Sequence, residues 1–148
     1  MALAVRSAEI EWNGDLMGGK GLLNSGSDAL HNLPVSFPAR TELPDGKTSP
    51  EELIAAAHAS CFAMAFTATL GRRNTPHEYL FVKAECAVDR KPEGGLKITS
   101  VHLSVRARVP GLDQAGFDDA AKAAEEGCPV SNALRNNVAI TVNAILEV

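Results

Sequence analysis

Cysteine is scarce in this 148-residue chain, with three residues at positions 61, 86 and 128, no Cys-x-x-Cys and no His-x-x-x-His. The odd count and wide spacing argue against a secreted disulfide framework, and the missing ligand pairs argue against a structural zinc site. Charge is also modest: 14 Lys and Arg against 18 Asp and Glu give a formal net charge of -4. Such a surface has no electrostatic footprint for nucleic acid or an anionic membrane, and a polyanionic substrate is not expected. No uninterrupted run approaches the roughly 18 apolar residues of a membrane span. The first residues, Met1-Ala2-Leu3-Ala4-Val5-Arg6, lack the basic-then-apolar order of a signal peptide. Internal repeats, low-complexity segments and an interdomain linker are absent as well. With 45% apolar residues the chain can bury one core, so we expect a single cytoplasmic domain over 1–148. In a reducing compartment, cysteines that pair are usually catalytic or redox-sensing.

The pattern of apolar residues supplies the elements. Val5 to Trp12 alternates and runs into Asn13-Gly14-Asp15, residues that tolerate the positive φ of a hairpin turn. Leu33 to Phe37 reads as a short strand and Pro38 to Lys47 as a loop. Ser49-Pro50-Glu51-Glu52 has an N-cap, a proline suited to the first turn and the spacing of a capping box. Ile54, Ala57, Cys61, Met64, Ala65 and Ala68 then share a face at helical spacing, which predicts a central buried helix ending near Gly71-Arg72-Arg73. Leu80 to Val88 and Val101 to Val109 alternate as two strands of a hairpin turning at Pro92-Glu93-Gly94-Gly95. Asp113 to Glu126 predicts an amphipathic helix on Phe117, Ala120, Ala121 and Ala124, with Gly127 as its cap. A short helix from Pro129 to about Asn136 and a strand from Val138 to Leu146 complete an α+β chain.

Among the residues able to do chemistry, Cys61 sits deep in an apolar run and Cys128 just before a helix-initiating proline. A free cysteine on a helix's apolar face ordinarily fills a core. A thiol of pKa ~8.5 is about 3% ionised at pH 7, and reaching a pKa of ~6 takes roughly 3.4 kcal/mol of thiolate stabilisation. Cys61 is therefore a nucleophile only if a cation reaches it. Arg40 is the candidate, with an exposed solvating arginine as the other reading; Glu51 either orients it through a bidentate salt bridge or serves as a first-turn carboxylate. Arg72 and Arg73, at the helix's far end, suit the helix dipole. Cys128 lies where a helix dipole and backbone N–H groups favour a thiolate. Cys86 reads as core and His102 as surface. His58, three residues before Cys61, is either a packed core histidine or a proton shuttle; as the base of a cysteine hydrolase it lacks an orienting partner and an oxyanion hole. Phe62 and Phe66 read as core.

The segments Pro50-Glu51-Glu52-Leu53-Ile54-Ala55-Ala56-Ala57-His58-Ala59-Ser60-Cys61-Phe62-Ala63-Met64 and Gly127-Cys128-Pro129-Val130-Ser131 resemble the osmotically inducible protein C (OsmC) branch of the OsmC/organic hydroperoxide resistance superfamily. Trp12-Asn13-Gly14-Asp15, Gly19-Lys20-Gly21 and Val109-Pro110-Gly111-Leu112-Asp113 extend the similarity along nearly the whole chain. The resemblance implies an OsmC-like fold, with antiparallel sheets around a long central helix, in an intertwined homodimer with active sites at the subunit interface. It implies a thiol peroxidase of oxidative or osmotic stress defence acting on organic hydroperoxides and hydrogen peroxide. In those terms Cys61 is the peroxidatic and Cys128 the resolving cysteine, Arg40 activates the thiolate and Glu51 orients Arg40. No cofactor or metal is implied; an external dithiol, of lipoyl type, is the reductant. The other branch carries its arginine in the first hairpin, where this chain has Lys20. Ten residues of helix separate Glu51 from Cys61, a rise of ~15 Å, so if both serve one site a second subunit supplies one of them. A redox-sensing dimer that binds a small ligand is the non-enzymatic alternative.

Overall fold

The first hairpin forms where Asn13 and Gly14 interrupt the alternating run, although its connection is longer than a tight turn. In the computed structural model, which describes residues 1–148, β1 (Ala8–Asn13) pairs antiparallel with β2 (Lys20–Ser25), Asn13 opposite Lys20. Gly14 has φ +93°, and a Cβ on Gly19 would lie 2.2 Å from the Asp15 carbonyl, so side chains are unwelcome at both ends of this connection. β3 (Leu33–Val35) adds antiparallel to β2.

The segment expected as a loop from Pro38 contains a helix, α1 (Phe37–Thr41). Pro38 lies in its first turn, where a missing N–H costs nothing, and Ser36 caps it by accepting from the Ala39 N–H at 3.3 Å. These elements and the first turn of α2 (Pro50–Arg72) make one unit, Met1–Leu53; the second is Ile54–Val148. At the start of α2 the Glu52 N–H donates to Ser49 Oγ at 3.1 Å, while the Glu52 carboxylate accepts from Thr48 Oγ1 at 2.9 Å. Half of the capping box is thus realised.

In the second unit, β4 (Tyr79–Arg90) and β5 (Leu96–Arg108) form the expected antiparallel hairpin. α3 (Gln114–Gly127) and α4 (Pro129–Leu134) then lead to β6 (Ala139–Leu146). β6 runs parallel to β5, so this sheet is mixed, a correction to the wholly antiparallel sheets expected. A parallel return needs a long crossover, and the α3–α4 segment provides it. The α+β class stands.

The buried face of α2 also differs from the face read in the sequence. His58, Phe62, Phe66 and Leu70 are each 0% exposed, whereas Met64 is 67% exposed and Ala57 and Ala68 are at the surface. Alanine on nearly every side leaves the helical period weak, and the aromatic residues decide because they remove the most apolar area from water. They pack on Leu103, Val105 and Ala107 of β5 and on Phe117, Ala120 and Ala121 of α3, with the Phe66 and Phe117 rings edge to face at 5.2 Å. By length and composition α2 also qualifies as a membrane-crossing helix, with mean hydropathy 1.6. That corrects the expectation drawn from uninterrupted runs: its alanines keep the average high around His58, Ser60 and Thr67. The core packing of its aromatic face gives the apolarity a use within the second unit.

Candidate active site

Arg40 lies in the last turn of α1 and Glu51 in the first turn of α2, and the short connection between the helices brings them together. The Arg40 Nε–H donates to Glu51 Oε1 and Oε2 at 3.0 and 3.1 Å, and Nη2 donates to Oε1 at 2.7 Å. The side chains are 27% and 7% exposed. A two-nitrogen fork on a carboxylate fixes the guanidinium plane, and partial desolvation strengthens it beyond an ordinary surface pair. The helix N-terminus further favours the Glu51 charge.

The two thiols belong to the second unit. Cys61 lies in the fourth turn of α2 and is partly exposed; Cys128 is the N-cap residue of α4 and is 0% exposed. The sequence suggested the reverse, a deep Cys61 and an accessible Cys128. Burial of α2's aromatic face turns Cys61 to the rim of the core, while α3 and α4 enclose Cys128. The thiols are within hydrogen-bonding reach of each other. Burial, first, and the neighbouring Cys128 push the Cys61 thiol above the ordinary range, while a backbone hydrogen bond from Val130 opposes them. Within its own unit, Cys61 is therefore paired but not activated. It opens on a cleft of about 340 Å³ lined by Met64, Ala65, Ala68, Arg72 and Pro129.

His58 is fully buried, its Nε2 2.7 Å from Ser131 Oγ, and its Nδ1 has no partner. Burial holds it below the ordinary histidine range, against the attraction of Glu125. Ser131 was not singled out in the sequence; the available signal was that it follows Cys128 by the interval that separates His58 from Cys61. His102, read as surface, is half-buried with Nδ1 2.7 Å from Thr141 Oγ1. Cys86 lies on β4 opposite Val101, apart from the two thiols' cluster. Arg73 pairs with Asp119 at 2.8 Å rather than only facing the end of α2. No group of three or more His, Cys, Asp or Glu side chains is placed to hold a metal ion.

Residues 43–143 match the family described as OsmC-like protein. The chain is 36% identical over 135 residues to the peroxiredoxin OsmC of Escherichia coli strain K12, spanning 91% of this chain and 93% of that protein. Among solved structures it is similar to an organic hydroperoxide resistance protein OsmC from Legionella pneumophila, with TM-score 0.77 and 27% identity over 99% of this chain and 100% of the other. It is also similar to the organic hydroperoxide resistance protein OhrB of Bacillus subtilis, with TM-score 0.74 and 26% identity over 94% and 98% of the two chains. With that match and a relative of this identity spanning nearly its whole length, the chain belongs to the OsmC-like protein family.

Proposed function

We propose that the protein is a cysteine-based peroxidase of stress defence that reduces organic hydroperoxides, and hydrogen peroxide as a second substrate. The observation that carries the mechanism is the pairing of two thiols at the edge of an apolar cleft, one open to it and one beneath. The Cys61 thiolate attacks the terminal oxygen of ROOH; the S–O bond forms, the O–O bond breaks and the alkoxide leaves as ROH after taking a proton. Cys128 then attacks the sulfenic sulfur, water departs and a Cys61–Cys128 disulfide results. An external dithiol, of lipoyl type, restores both thiols by two exchanges. The chemistry rests on cysteine alone and calls for no prosthetic group.

Activation is assigned to Arg40, oriented by Glu51. Support comes from the bidentate pair and from the need of Cys61 for a cation to overcome its raised pKa. Because α2 is unbroken over Pro50–Arg72, we assign the Arg40–Glu51 pair and the thiol it serves to different subunits of a homodimer. Residues 1–148 then act as one domain in the cytoplasm.

The test is peptide mass spectrometry after one equivalent of cumene hydroperoxide, with turnover measured in the presence of a dithiol. A Cys61–Cys128 bridge and loss of consumption in Cys61→Ser are expected. Equal consumption by wild type and Cys61→Ser, or a bridge through Cys86, would overturn the assignment.

A further inference from the structure

A six-residue helix does not hold its own position. α4 is less than two turns long, far below the length at which a helix is stable alone, and its N-cap side chain makes no capping hydrogen bond. Yet it carries Cys128 and the Val130 N–H to the Cys61 sulfur, so its placement sets the geometry of the disulfide-forming step. Its C-terminal end is tied to α3 by Arg135, whose Nη2 lies 2.7 Å from Glu125 Oε1. Its buried face is tied to α2 by Ser131 and His58.

The His58–Ser131 bond has no other evident purpose. Both residues are 0% exposed, so each loses its hydration for a single partner, and His58 Nδ1 is left with none. Apolar residues of similar size would fill this volume without stranding a nitrogen. The tautomer follows from the cost: a proton on Nε2, donated to Ser131 Oγ, leaves an orphan lone pair at Nδ1 rather than a rarer orphan N–H. What the bond does have is symmetry with the thiols, since it joins the same two helices one turn from Cys61 on α2 and one turn from Cys128 on α4.

We infer that His58 and Ser131 are positioning residues for the resolving step, a buried clamp that holds Cys128 against the Cys61 sulfenic acid. The inference rests on the peroxidase reading above. The clamp touches no substrate. It shortens the search that the Cys128 sulfur makes before condensing, and so limits the time Cys61 spends as a sulfenic acid exposed to a second peroxide.

The experiment separates the two chemical steps by rapid quench after one equivalent of cumene hydroperoxide. Loss of the Cys61 thiol reports the peroxide step, the Cys61–Cys128 disulfide reports resolution, and dimedone traps the sulfenic acid between them. In Ser131→Ala the disulfide should form about tenfold more slowly, the effect of losing one buried hydrogen bond, with the peroxide step within about threefold and more dimedone adduct. Ser131→Thr, which keeps the hydroxyl, should restore the wild-type division. His58→Leu, which removes the Nε2–H donor, is the second variant and should behave as Ser131→Ala does. Unchanged resolution in both variants, equal slowing of both steps, or a melting temperature that falls while the division of rates stays fixed would overturn the clamp. If wild type itself forms no Cys61–Cys128 disulfide, the peroxidase mechanism fails and the clamp fails with it.

Discussion

The Arg40–Glu51 pair and the Cys61–Cys128 pair are built in opposite ways. The ion pair joins residues only 11 apart in sequence, in the unit Met1–Leu53, and it is complete there: three short contacts, a carboxylate nearly shielded from water and a fixed guanidinium plane. The thiol pair belongs to the unit Ile54–Val148, depends on helices brought together from far along the chain, and is chemically unfinished, because its surroundings disfavour the Cys61 thiolate. A cation can be prepared by local structure, since neighbouring helix termini are enough to orient it. A low-pKa thiol cannot, because burial alone works against it.

The most damaging test of that contrast is Arg40→Met. We expect reaction with cumene hydroperoxide to slow by about 10²- to 10³-fold, the range for removing one preorganised electrostatic group. Alkylation of Cys61 by iodoacetamide should then rise only at pH above the ordinary thiol range, because the burial effect is opposed by the Val130 backbone hydrogen bond alone. An unchanged alkylation profile would mean that Arg40 does not reach the thiol.

Glu51→Gln should act more mildly, on the order of tenfold, since it loosens the guanidinium without removing the charge. It also sharpens the distinction between positioning and charge. Arg40→Lys should lose more than Glu51→Gln, because an ammonium lacks the planar fork that meets both carboxylate oxygens. Stopped-flow peroxide kinetics on the two variants side by side would decide it.

The smallest effect concerns stability rather than rate. His58 is depressed below its usual value of 6.5, so below that pH the unfolded chain binds a proton that the folded chain refuses. The stability it contributes is fully present above 6.5 and is lost as pH falls through the folded value. Glu125 raises the folded value and narrows this window. Melting temperatures from about pH 8 down to about pH 5 should therefore fall more steeply for wild type than for His58→Gln. Parallel curves would show that His58 is not held neutral by burial.

Most elements were legible because local chemistry announces them: Ser49 and Pro50 start α2, Asp113 caps α3 by accepting from the Gly116 N–H at 2.8 Å, and strict alternation marks β4 and β5. Other features were not. The helix at Phe37–Thr41 hid behind a proline in its first turn, where proline is harmless. The buried side of α2 was obscured because alanine surrounds the helix and Cys61, Met64 and Ala68 mimic an apolar stripe. The exposure of the thiols was inverted, since a helix's local pattern does not say which of its sides a distant β-strand will cover.

By itself, then, the sequence determined which residue types stand where: a cysteine within an alanine-rich helix, a second before a proline, an arginine and a glutamate flanking a short connection. Those placements follow from capping, periodicity and turn preferences, which act over a few residues. Only the tertiary structure decided that Cys61 opens on the cleft while Cys128 lies beneath it, that β6 returns parallel to β5, and that His58 finds Ser131, 73 residues away. Each depends on which apolar surfaces meet, and that is settled by the total area withdrawn from water across the unit rather than by any one segment.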